Sequence, residues 1–333
     1  MLSAIPEVRR DAVRRGLIAA FGTHELDSIV PVSGGFSGAA VYRIRVGAIA
    51  YILRIETSRD AFRDPHRAYA CMSIAAAGMI APRVRYADPG DGVAIMDFIP
   101  QKSLTLDYPG TREDLIVEAA QTIRALHAGP KFPALVDYME GMDGLIATFR
   151  ASQRLPAAAT AEVFERFAVL RAAWRTEPQD LVASHNDLNP RNILYDGTRL
   201  WLVDWEAAFL ADRYVDLSNL ANLYAATREQ EDLLLATYFG KAEPGHRARL
   251  YLMRQVNHLF YAMAMLNSLP PGFGCGEDLD SPDLADIHAA ISTGAFVLDT
   301  PQGMTTYAKS RLHAALEGLR APRFEEALAA AGY

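Results

Sequence analysis

Cysteine is nearly absent from this chain. Only Cys71 and Cys275 occur in 333 residues, which excludes a disulfide-stapled scaffold. There is no run of about 18 uncharged apolar residues, the length a membrane-spanning helix needs. Residues 250–269 come closest, and Arg254, Asn257 and His258 interrupt them. An apolar leader core is missing too, because Glu7, Arg9, Arg10 and Asp11 crowd the first residues. Positive charge is not in excess. The formal net charge of −7 argues against nucleic acid as the main partner. No internal repeat or low-complexity tract occurs. With 50% of its residues hydrophobic, the chain can bury a sizeable core. The expectation is a soluble, cytoplasmic protein of one large domain or two, with no membrane partner.

The most informative stretch runs from Val182 to Glu206, VASHNDLNPRNILYDGTRLWLVDWE. Ile193–Tyr195 and Leu200–Val203 read as short strands, and Asp196-Gly197 between them is a strong turn signal. Pairing Tyr195 with Leu200 puts Asn192 opposite Val203 and beside Asp204. An amide oxygen and a carboxylate then meet at one end of a small ribbon, as hard ligands for Mg²⁺ should. Asp187 stands one loop away, free to accept a proton from an incoming hydroxyl. A base with an Asn and a second Asp on the metal is the requirement of phosphoryl transfer from ATP. Asp187 is therefore the candidate catalytic residue, and Asn192 and Asp204 are the candidate metal ligands.

His185-x-Asp187-x₄-Asn192 followed by Asp204-Trp205-Glu206 resembles the aminoglycoside phosphotransferase and choline kinase family. It is unlike a protein kinase. Asp-Trp-Glu stands where Asp-Phe-Gly would, and no Ala-Pro-Glu follows, which favours a small-molecule acceptor. The resemblance implies an α+β, bilobal, kinase-like fold. A five-stranded antiparallel N-lobe (residues 1–96) would lead through a hinge (97–103) to a larger, mainly helical C-lobe (104–333). A Gly-rich turn between two strands lets backbone N–H groups approach phosphates without side-chain clash. The resemblance places such a loop, with Gly34, Gly35, Ser37 and Gly38, over ATP. Strand alternation puts Arg54 and Ile52 on one face and Leu53 and Ile55 on the other. The resemblance makes Arg54 the clamp on the α- and β-phosphates, where Arg can bind in bidentate fashion. It also seats adenine against the backbone from Asp97 to Ile99. Relatives hold the strand cation with a Glu on the following helix, here Pro65–Gly78. The corresponding turn, Pro65 to Tyr69, has no acid, so Asp64 and Glu56 are the substitutes to test. His127 is expected to be structural, and Asp216 to cap its helix and brace the catalytic loop.

Further helices are expected at Glu7–Ala20 (with Val8, Val13, Leu17 and Ile18 apolar), Asp114–His127, 145–150, 161–174, 248–269 and 283–298, the last helical pattern ending near Ala330. Asn257 to Ala264 resembles the choline kinase stretch Ser-His-Leu-Phe-Trp-Gly-Leu-Trp, whose tryptophans help cage a trimethylammonium. Tyr261 keeps the first aromatic and Ala264 loses the second. Glu206 either faces a cationic acceptor or hydrogen-bonds the loop. The predicted activity is an ATP- and Mg²⁺-dependent phosphotransfer to a small alcohol of choline or ethanolamine type. An aminoglycoside or another small alcohol is the alternative acceptor. A catalytically silent nucleotide-binding module is the competing class, motivated by the missing helix acid.

Overall fold

Alternating apolar residues build the sheet. The computed structural model describes residues 2–32, 39–102, 104 and 107–331. Five strands form one antiparallel sheet: β1 (Ser28–Pro31), β2 (Ala39–Val46), β3 (Ile49–Glu56), β4 (Val84–Asp88) and β5 (Val93–Asp97). Their order is β1-β2-β3-β5-β4. Along β3, Tyr51, Leu53 and Ile55 are buried while Ile52 and Arg54 are only partly so, so the period-2 reading holds. The buried face carries Ile44, Leu53, Ile55, Val93 and Ile95.

Helix α1 (Arg10–Phe21) covers that face with Val13 and Leu17, and ends on Gly22 at φ 74°. Left-handed φ at this position favours glycine. Two expected core residues are corrected. Val8 is 89% exposed and Ile18 is 51% exposed. A 3₁₀ turn precedes α1, so Val8 is out of phase with the helix, and the inward stripe is Ala12, Val13, Gly16 and Leu17. At Gly16 a Cβ would come within 2.9 Å of the Tyr86 ring, so helix and sheet pack at glycine distance there.

Helix α2 (Pro65–Ala77) starts with Pro65 in its first turn, capped by Asp64, whose side chain accepts from the His66 N–H. Helix α3 (Arg112–His127) opens on a reciprocal capping box between Thr111 and Asp114. Later come β6 (Leu181–Ser184), β7 (Ile193–Tyr195), β8 (Leu200–Leu202) and β9 (Phe209–Asp212). β6 pairs with β9, and β7 with β8, both antiparallel. These strands, α1 to α3 and the sheet belong to one compact unit, Met1–Leu135 with Leu181–Asp216.

The second compact unit is Val136–Asp180 with Leu217–Tyr333. Its helices are α4 (Tyr138–Ser152), α5 (Ala157–Ala173), α7 (Arg228–Phe239), α8 (Pro244–Ser268), α9 (Leu284–Ser292), α10 (Pro301–Arg320) and α11 (Pro322–Ala330), preceded by most of α6 (Arg213–Tyr224). Helix α8 is its centre, packed by α4, α7, α10 and α11. α9 stops short of the expected 298, because the chain turns at Gly294, φ 75°. Among the described residues no helix is long and apolar enough to cross a membrane. A small antiparallel sheet with a mainly helical remainder is the expected α+β division.

Candidate active site

The β7–β8 hairpin sets the register of the site. Asp196 shapes its turn by accepting from the N–H groups of Thr198 (2.8 Å) and Arg199 (3.0 Å), and Gly197 adopts φ 100°. Tyr195 pairs with Leu200 and Ile193 with Leu202. One step further, the Val203 N–H donates to the Asn192 carbonyl at 3.0 Å. Asn192 and Asp204 therefore stand side by side at the open end, as the sequence predicts.

Asp187 lies in the loop before this hairpin, half-buried. Its carboxylate accepts from Asn189 Nδ2 (3.1–3.2 Å) and from Asn192 Nδ2 (3.1 Å). Asn192 Nδ2 also donates to the Asp187 carbonyl at 2.8 Å, which commits its nitrogen and points its oxygen elsewhere. His185, fully buried, fixes the loop from beneath. The Val203 carbonyl can only accept, so His185 Nε2 carries the proton it donates there (2.9 Å), and Nδ1 accepts from the Asp187 N–H (3.4 Å). The ring acts as a spacer between the Asp187 loop and the hairpin.

Asp216 braces the same loop. Its carboxylate is inaccessible to solvent and accepts from the N–H groups of His185 and Asn186, each at 2.8 Å, and from His127 Nε2 at 3.0 Å. Burial works to raise this carboxyl, but the His127 hydrogen bond and the charge and backbone donors around it bring it below the ordinary range. A depressed carboxyl stabilises the fold fully above its unfolded value, about pH 4, and loses that contribution as pH falls. His127→Ala removes one charge-assisted bond and is expected to destabilise by about 1.5–3 kcal/mol, with most of the loss above about pH 4. Urea midpoints at pH 7 and pH 3 measure it, and equal midpoints for parent and variant at pH 7 would contradict the brace.

Asn186 at φ 66° and Asp204 at φ 64° are two of four described non-glycine residues with left-handed backbone. Strain of this kind persists only where the surroundings enforce it, and it marks functional loops. Asn186 Nδ2 donates to the Ala207 carbonyl (3.0 Å), joining the Asp187 loop to the segment after β8.

Arg54 answers the question left by the missing helix acid. Its Nε donates to Glu56 (2.7 Å), Nη1 to Asp204 (3.1 Å) and Nη2 to Glu206 (2.8 Å). Burial opposes the guanidinium charge, yet Asp204, Glu56 and Glu206 together hold it protonated more firmly than usual. Asp64 is spent on its helix cap, so Glu56, two residues along the same strand, is the anchor. The helix contributes hydrogen-bond donors instead. Arg67, 5% exposed, donates to the Glu206 carbonyl at 2.7 Å, and the Tyr69 hydroxyl donates to Glu56 at 3.3 Å. The Glu206 carboxylate is engaged by Arg54 and by Arg63 Nε at 3.3 Å. Burial, then the Asp204 charge, pushes the Glu206 carboxyl up against the pull of Arg54.

Asp97 ends β5. Its N–H donates to the Arg83 carbonyl (2.9 Å) and its carboxylate binds Arg85 (2.6 Å). Ile99 follows two residues on. Gly34, Gly35, Ser37 and Gly38 lie outside the described residues. Tyr261 belongs to the helical unit. It is buried, its hydroxyl donates to Asn219 at 2.8 Å, and the Arg311 guanidinium lies 5.0 Å from its ring. Asn189, Arg63 and Arg67 escaped sequence reasoning, and only the Asn189-Pro190 turn signal hinted at the first.

Residues 28–252 match the APH phosphotransferase enzyme family. Among curated proteins, LicA of Haemophilus influenzae is 32% identical over 68 residues. The matched segment is 20% of this chain and about a quarter (26%) of LicA. A choline/ethanolamine kinase family protein of Mesorhizobium loti superposes with TM-score 0.68 at 22% identity, covering 97% of this chain and 99% of that one. Choline kinase LicA of Streptococcus pneumoniae gives 0.63 at 13% identity, covering 94% and 99%. An aminoglycoside phosphotransferase in complex with streptomycin and ATP gives 0.57 at 14%, covering 79% and 90%. The fold is kinase-like.

Proposed function

We propose, from the premise that this chain belongs to the phosphotransferase enzyme family, that it moves the γ-phosphoryl group of ATP to the hydroxyl of a small amino alcohol. The observation that carries this reading is the convergence of Asp187, Asn192 and Asp204 at one end of the β7–β8 hairpin, with Arg54 on Asp204. Asp187 takes the proton as the acceptor oxygen bonds to phosphorus, while the bond from phosphorus to the β-phosphate oxygen breaks and ADP leaves. Asn189 and Asn192 aim that carboxylate. Arg54 serves the α- and β-phosphates, held by Glu56. The donor set fits Mg²⁺: the Asn192 amide nitrogen is committed to Asp187, which leaves its oxygen for a hard cation next to the Asp204 carboxylate. When bound, the cation supplies charge neutralisation on the phosphates. The carbonyl of Asp97 and the backbone of Ile99 are the proposed adenine contacts, and residues 1–96 and 104–333 the functional lobes. Anchoring of Arg54 by Glu56 removes the reason for a silent module.

The acceptor reading rests on the likeness to choline/ethanolamine kinase folds. Each cation–π contact is worth about 0.5–2 kcal/mol. Half-buried Ala264 offers no ring, and the Tyr261 ring already neighbours Arg311. Losing one face weakens a quaternary ammonium by roughly tenfold. A primary ammonium recovers energy by hydrogen bonding. Ethanolamine is therefore expected to be turned over at least as efficiently as choline. An ATP-consumption screen across amino alcohols, aminoglycosides, sugars and amino acids tests this. Turnover of an aminoglycoside or sugar with neither alcohol used would move the acceptor to that class.

A further inference from the structure

Three carboxylates and one guanidinium make an unusual charge group in the candidate site. Arg54 is only 12% exposed at its side chain, and all three of its donor nitrogens are committed, to Glu56, Asp204 and Glu206. Two of these partners differ in kind from the third. Glu56 sits on the same strand, two residues away, and its other contact is the Tyr69 hydroxyl, so it moves with Arg54. Asp204 is the carboxylate that the proposed cation needs. Its backbone is held at φ 64°, and the loop behind it is tied down by Arg67 on the Glu206 carbonyl and Asn186 on the Ala207 carbonyl. Those ties fix the Asp204 backbone, so its carboxylate has only the short reach of its own side-chain rotations. The mobile partner is the long arginine side chain.

We propose that Arg54 occupies the metal-binding carboxylate Asp204 in the nucleotide-free protein, so that Arg54 and the divalent cation compete for it until nucleotide phosphate draws the guanidinium away. An arginine fork can trade Asp204 and Glu206 for phosphate oxygens while Nε stays on Glu56, because its donors point in fixed, separate directions. Glu56 then acts as the pivot. A helix-borne acid would hold the strand cation off Asp204; this chain has none, and Glu56 anchors Nε while leaving Nη1 on Asp204. The consequence is ordered loading: the cation enters with or after the nucleotide and binds poorly alone. This inference deepens the phosphotransferase reading and rests on Asp204 being the metal carboxylate.

Mn²⁺ serves as the probe, with free Mn²⁺ read by electron paramagnetic resonance and Trp205 emission as a second signal between Asp204 and Glu206. Without nucleotide, Arg54→Ala is expected to bind Mn²⁺ about ten- to hundredfold tighter than the parent, equivalent to about 1.4–2.8 kcal/mol. Adding Asp204→Asn to that variant should abolish the gain. A saturating non-hydrolysable ATP analogue should shrink the gap between parent and variant to within threefold. Arg54→Lys keeps the charge but not the fork. It is expected to bind Mn²⁺ at least threefold tighter than the parent, because a point charge cannot hold three carboxylates at once. Equal Mn²⁺ affinity for parent and Arg54→Ala without nucleotide would overturn the proposal. So would a Lys variant that matches the parent, since simple charge repulsion would then explain the alanine result. Failure of the parent to bind the ATP analogue would overturn the phosphotransferase reading instead, and the nucleotide-free comparison would still decide the competition.

Discussion

Asp187→Asn is expected to lower turnover by about 10²–10⁴-fold while leaving ATP affinity close to that of the parent. The substitution keeps the side chain's shape and removes its basicity. In the parent both carboxylate oxygens are engaged by amides, Asn189 on each and Asn192 on Oδ2, and none of these donors carries charge. These amides aim the carboxylate, as a proton acceptor requires. An asparagine at 187 still accepts through one oxygen, so the loop should survive, with His185 and Asp216 holding its backbone. Steady-state kinetics with the preferred acceptor, alongside calorimetry with ATP, separates the two quantities. A variant that phosphorylates at the parent rate would show that Asp187 is not the base. Equal losses in turnover and in ATP affinity would show that it shapes the nucleotide site instead.

Local signals explain which parts of the site were legible in the sequence. The hairpin could be read because its information lies within a dozen residues. Asp196-Gly197 fixes the turn, buried Ile193 and Tyr195 alternate with Leu194, and one register satisfies both strands. That register alone places Asn192 beside Asp204. Strand β3 was legible for the same reason, as period-2 burial assigns Arg54 its face. Long-range wiring was not legible. The cation that holds the Glu206 carbonyl, Arg67, is 139 positions away in sequence, and nothing in Pro65 to Tyr69 marks it as inward-facing. Expectation looked there for an acid, and the chain meets the same need with Glu56 on the strand, itself held by the Tyr69 hydroxyl of the helix. Helix phase failed at the N-terminus because the 3₁₀ turn before α1 shifts Val8 off the inner stripe, a shift of about 20° per residue between 3.0 and 3.6 residues per turn. Left-handed backbone at Asn186 and Asp204 was equally hidden. Asn and Asp tolerate such φ values, and most of them never adopt it.

Asp204→Ala is expected to abolish the metal dependence of ATP binding and to do so with a distinctive sign. Removing a buried charged partner typically weakens binding by about 2–5 kcal/mol, which is about 1.5–3.5 decades of affinity. That loss should appear only with Mg²⁺ present. Without metal the variant leaves Arg54 with Glu56 and Glu206 and one free arm, so metal-free ATP should bind as well as to the parent or better. Asn192→Ala separates the two roles of its neighbour. It deletes a neutral oxygen, worth about 1–1.5 kcal/mol or roughly tenfold in metal-dependent affinity. It also deletes the Nδ2 that aims Asp187, so its turnover should fall further than its affinity. Calorimetric titration of ATP with and without Mg²⁺ into parent and both variants gives the comparison. Equal affinities for parent and Asp204→Ala in Mg²⁺ would remove Asp204 from the metal site, and a larger affinity loss in Asn192→Ala than in Asp204→Ala would reverse their assigned roles.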